Sequence, residues 1–151
     1  MPHRVSLWFS GAAFVAVAAL SSLDSLLIAQ ATPSRPVGVY TAAQAERGRK
    51  LYLVNCASCH AENLNGGRFY LDEPVPALRR EKLFEGWPEL YAFYEAFRAA
   101  MPADDPMSLQ DGEYVDVLAY LLSTNGYPAG SAELTPDPAA LKQITLARPV
   151  P

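Results

Sequence analysis

The chain holds two cysteines and two histidines, and three of those four residues fall within five positions, Cys56-Ala57-Ser58-Cys59-His60. Two cysteines spaced three apart lie on one side of a helical turn. Their sulfurs are then placed to add to the two vinyl groups along one edge of a haem, with the next residue, His60, donating to the iron. A local disulfide or a thioredoxin-like redox pair would use the same spacing. The redox pair, however, needs flanking strands, and here a helical pattern precedes the motif and a loop follows it. Tetrahedral zinc would require a fourth ligand of cysteine or histidine type, which the chain beyond its first 31 residues does not supply.

The opposite face of the iron is narrowed by elimination. His3 sits in the first segment, so His60 is the one histidine that follows it. Methionine is then the favoured sixth ligand, either Met101 or Met107. Met101 is preferred, because Pro102 disfavours a helical residue before it and so leaves that side chain at a helix end, free to face a cavity. Met107 is the alternative. At least one of the two must be ordinary core filler.

The elements that must position these groups read as helices and loops. Thr41-Ala42-Ala43-Gln44 has the form of a capping box, which predicts a helix start; Ala45, Gly48, Leu51 and Tyr52 then share one face, and the helix ends near Asn55 and Cys56. Residues 61–86 are rich in Gly, Pro, Asn and charge, with scattered apolar residues including Phe69, Tyr70, Leu71, Leu78, Leu83 and Phe84. They predict a long irregular loop that a large prosthetic group would organise. A second helix is expected over 88–100, with Leu90, Phe93, Tyr94 and Phe97 inward. Ser108-Leu109-Gln110-Asp111 predicts the start of a third, carrying Tyr114, Val117, Leu118 and Leu121 on one face and ending at Asn125-Gly126. The tail is proline-rich, yet Leu141, Ile144 and Leu146 predict that it packs back, around a short helix near 138–143. No alternating pattern that would build a sheet is present.

At 151 residues the chain has room for one modest domain. Its formal charge of -4, from 12 basic and 16 acidic residues, is evenly mixed and gives no support to nucleic-acid binding. Residues 1–31 combine a basic start at Arg4, an apolar run and the small residues Ala29 and Ala31, the pattern of a secretory signal. The segment is either cleaved or kept as a membrane anchor, and membrane association follows only in the second case. Residues 32–40 read as a linker, 41–126 as the domain and 127–151 as the tail.

Taken in order, the C-x-x-C-H motif at the end of a first helix, a later Met101-Pro102 and a terminal helix containing Val117-Leu118-Ala119-Tyr120-Leu121-Leu122 resemble the class I c-type cytochromes. The resemblance spans roughly residues 41–126. It implies an all-α cytochrome c fold, three to four helices around one covalent haem c, with Gly48 and Tyr52 meeting Tyr120. It also implies that a carbonyl at Pro76 accepts the proton of His60 and that Trp87 sits near a haem propionate. The stretch from Met101 through Pro106, with Ser108, Leu109, Tyr114 and 125–130, is similar to haem domains that serve quinoprotein alcohol dehydrogenases. The resemblance therefore implies a periplasmic single-electron carrier, not an enzyme. Its donor would be a quinoprotein-type or other periplasmic dehydrogenase, and its acceptor a cytochrome or terminal oxidase. From the enzyme class, the alternative is an open-site haem protein that binds or reduces a small ligand. Two departures stand out: Ala61 where relatives carry glycine after the histidine, and Met107 where glycine is expected before Ser108. The run Arg79-Arg80-Glu81-Lys82 is also more charged than expected.

Overall fold

The computed structural model describes residues 38–68, 72–80 and 82–146. The expected signal segment 1–31, most of the linker 32–40, the loop residues 69–71, Glu81 and residues 147–151 lie outside the described residues. Within the described residues the fold is mainly helical: α1 (Ala42–Asn55), α2 (Ala57–His60), α3 (Leu90–Ala100), α4 (Asp111–Thr124) and α5 (Pro138–Lys142). No described helix is long and apolar enough to cross a membrane.

The frame is the crossing of α1 and α4. Gly48 faces the backbone of α4 so closely that a Cβ there would run into the carbonyl of Asp116. One helical turn on, Tyr52 packs on Tyr120 with ring centroids 5.4 Å apart, as the resemblance implied. The expected inward face of α1 is confirmed at Ala45, Gly48 and Tyr52, whereas Leu51 is only half-buried. Thr41 caps α1 by accepting the amide of Gln44 at 3.1 Å. The second half of the expected box is missing. The Gln44 side chain instead turns to the tail, where its Nε2 donates to the Leu134 carbonyl at 2.8 Å and its Oε1 accepts the Leu134 amide at 2.7 Å. A buried amide side chain satisfied twice by one residue of main chain outcompetes a single solvent-facing cap bond.

Helix α4 begins later than the Ser108 signature predicted. Gln110 is its cap, and the Glu113 carboxylate accepts the Gln110 amide at 2.8 Å, so Glu113 takes the place that Asp111 would have filled. The expected stripe is buried, and Val115, Ala119 and Leu122 are buried as well. That fits a helix covered on more than one side, by α1 and by α3. It stops at Asn125 and at Gly126, whose φ of 85° is the left-handed conformation expected of a glycine after a helix. Helix α3 starts two residues after Pro88 and ends on the extended residue Met101, as the following proline requires.

The loop between α2 and α3 departs from expectation in one respect. It contains a two-residue antiparallel ribbon, β1 (Gly67–Arg68) against β2 (Pro74–Val75), too short to leave an alternating pattern in the sequence. The loop is anchored rather than loose: Leu64 is fully buried and its carbonyl accepts the amides of Leu78 at 2.7 Å and Arg79 at 3.0 Å. The described part of the tail packs against the helices. Asp137 caps α5, Leu141 is fully buried, and the Ile144 carbonyl accepts the Leu90 amide at 2.9 Å.

Candidate functional site

Helix α1 ends where its last turn delivers Cys56, whose amide bonds the Tyr52 carbonyl at 2.9 Å. The Cys56 carbonyl in turn accepts the amides of Cys59 at 3.2 Å and His60 at 2.9 Å, so the whole motif is wound on a single helical turn. Both thiols are free and half-buried. Burial pushes the Cys56 thiol up to about 11, with the nearby Cys59 adding to the effect. A thiol so raised stays protonated at neutral pH, the opposite of the depressed thiolate that a disulfide oxidoreductase needs. No cluster of three or more His, Cys, Asp or Glu side chains that could hold a metal ion occurs among the described residues.

His60 is buried, and its Nδ1 lies 3.0 Å from the carbonyl oxygen of Pro76. A carbonyl only accepts, so Nδ1 carries the proton and donates it, and in the neutral ring the lone pair then resides on Nε2. That nitrogen has no hydrogen-bond partner among the described residues. The tautomer is therefore the one a metal-ligating imidazole requires, fixed by the bond expected at Pro76.

These groups face a cavity of about 360 Å³. Its floor is Cys56, Cys59 and His60; one flank is Pro74, Val75, Pro76 and Leu78 from the loop; the other is Phe93, Phe97, Val117 and Leu121 from α3 and α4. Met101 and Pro102 stand on the wall as well, and so does Trp87, which meets Phe93 edge-on at 5.5 Å. Every one of the favoured site residues thus borders one space. Met107 does not: it is 55% exposed and outside the cavity wall. Among the described residues, acidic side chains reach the wall at Glu73 and Asp104.

Such a set fits a covalent haem. The wall is apolar, as a flat hydrophobic macrocycle needs, two thiols stand on one turn, and the one histidine presents an unused lone pair. Cys56, Cys59, His60 and Met101 are the residues that could hold it.

Three contributors to this geometry carry no sequence signal for it. The Tyr52 hydroxyl donates to the carbonyl of Ala61 at 2.7 Å, fixing the residue after His60. Ala61 sits at a φ of 62°, the left-handed region that favours glycine, the residue the resemblance leads one to expect there. Asn125 ties the loop to α4 through its Nδ2, which donates to the Leu78 carbonyl at 2.9 Å, and its Oδ1, which accepts the Arg80 amide at 3.0 Å. The Tyr114 hydroxyl donates to the carbonyl of Met101 at 2.8 Å. All three side chains were legible as core or cap; their hydroxyl and amide partners, far away in sequence or on main chain, were not.

The family model described as cytochrome c oxidase, cbb3-type, subunit III, matches residues 43–121. Among solved structures, the sulfane dehydrogenase SoxCD from Paracoccus pantotrophus contains a similar chain, at 25% identity and a TM-score of 0.48, covering 72% of the present chain. The present chain spans about half of that one, 54% of its length. No curated protein matches significantly.

Proposed function

Because the chain belongs to this family of c-type cytochrome domains, which transfer electrons through a covalently bound haem c, we propose that it is a periplasmic single-electron carrier in which His60 and Met101 would ligate the iron. The observation that carries the proposal is the convergence of Cys56, Cys59, His60 and Met101 on one apolar cavity, with Met107 left outside. The haem supplies the one-electron couple, cycling between ferrous and ferric iron. Cys56 and Cys59 would hold it covalently by one edge. His60 would donate through Nε2, oriented by Pro76, and the Met101 thioether as a second ligand would raise the reduction potential relative to a second nitrogen. Phe93, Phe97, Val117 and Leu121 exclude water, and Trp87, whose indole N–H has no partner among the described residues, would serve a propionate. The secretory pattern of residues 1–31 supports a periplasmic place. A periplasmic dehydrogenase of quinoprotein or other type is the proposed donor, and a cytochrome or terminal oxidase the acceptor.

Optical spectra of the holoprotein test the ligand assignment. Met101→Ala should abolish the sulfur-to-iron charge-transfer band of the oxidised form and open the reduced form to carbon monoxide, while Met107→Ala should change neither. The reverse pattern would transfer the role to Met107. Ready carbon monoxide binding by the unaltered protein would favour the open-site alternative instead.

A further inference from the structure

Met101 lies just past the last residue of α3, where a chain is ordinarily free to swing. Its main chain is nevertheless held on both sides: its amide donates to the Phe97 carbonyl at 2.9 Å, and its carbonyl accepts the Tyr114 hydroxyl at 2.8 Å. Tyr114 is fully buried on α4, and its ring meets Phe97 edge-on at 5.4 Å. A phenol in that position has no access to water, so its one donor is committed to Met101. On the same helix, Val117 and Leu121 form part of the cavity wall. Helix α4 thus sets both the wall and the height at which Met101 stands over it. Met107, six residues on, receives no comparable bond and is exposed.

We propose that Tyr114 is a positioning residue, whose hydrogen bond to the Met101 carbonyl holds the Met101 thioether toward the haem, selects it over Met107, and makes the sixth position resistant to ligands from solution. This rests on Met101 being the axial ligand. The bond acts on the ligand's backbone, not on its sulfur, so its effect is on how long the sulfur stays in place. A thioether whose supporting turn is pinned returns to its place after each dissociation, whereas an unpinned one yields the position to a competitor.

The test compares two phenol deletions in the holoprotein. Tyr114→Phe keeps the ring and removes the hydroxyl. Tyr40→Phe removes a hydroxyl of the same kind, one that donates to the Tyr127 carbonyl at 2.6 Å and lies off the cavity wall. Cyanide titration of the ferric form, followed by loss of the sulfur-to-iron band, should show about tenfold tighter cyanide binding in Tyr114→Phe, as expected for losing one buried hydrogen bond, and no change in Tyr40→Phe. Equal affinities in the two variants would overturn the positioning role. Should Tyr114→Phe fail to accumulate, the unaltered protein offers a second measurement. Saturating its ferric iron with cyanide should speed exchange of the Tyr114 hydroxyl proton with water, and an unchanged rate would overturn the proposal. Failure of the ligand assignment itself reads out separately, as a charge-transfer band that survives Met101→Ala.

Discussion

Where α1 crosses α4, Gly48 lets two backbones meet and Tyr52 packs on Tyr120; beside that crossing, Pro74, Val75, Pro76, Leu78, Leu83 and Trp87 of the following loop face a cavity instead. The first region is closed by its own side chains. The second is tied down at its edges, through Leu64, Asn125 and Pro76, and its centre is left to the cofactor. The difference teaches that this small domain divides its core in two. One half forms by side-chain packing, and the other exists in order to be completed by haem.

The largest test of that division removes the cofactor. Replacing both Cys56 and Cys59 by alanine should eliminate covalent haem, seen as complete loss of haem staining after denaturing electrophoresis. Amide-exchange protection should then vanish from residues 64–84 before it vanishes from α1 and α4. Simultaneous loss in both regions would break the comparison and make the core one unit.

The complementary test attacks the self-packed half. Gly48→Val places two methyl groups against the Asp116 carbonyl, where neither backbone can retreat without opening the crossing, and should cost about 3 kcal/mol or more in urea denaturation. A cost below about 1 kcal/mol would show that α1 and α4 slide past each other freely. A smaller effect sharpens the boundary. Gln44→Ala leaves the amide and carbonyl of Leu134 unpaired and should destabilise by about 2 kcal/mol in the same assay. Since Gln44 lies off the cavity wall, the haem spectrum should not move.

Much of the self-packed half was legible in the sequence, because helices repeat. Ala45, Gly48 and Tyr52, or Tyr114, Val117, Leu118 and Leu121, announce a buried face by spacing alone. Helix starts were less certain for a physical reason: near α4 two carboxylates, Asp111 and Glu113, stand at capping distance from two different caps, and only the folded chain shows that Glu113 is used. Gln44 was found by its spacing from Thr41 but assigned the wrong partner, since nothing local reports a tail residue 90 positions away. In the cofactor half, covalent attachment was legible because it needs particular residues in a fixed order. The β1–β2 ribbon was not, as two residues are too few to show a period. The bond from His60 to Pro76 came from resemblance and is now a distance.

The hydrogen bonds that brace the segments around His60 and Met101, to Pro76, Ala61 and Met101, all end on main-chain oxygen. Every residue type offers that oxygen. The acceptor end of each brace is thus immune to point mutation, and only a change in the path of the chain removes it. For these three bonds, mutational vulnerability is concentrated on the donors, His60, Tyr52 and Tyr114, while the residue that lends each acceptor can change its side chain without removing the bond.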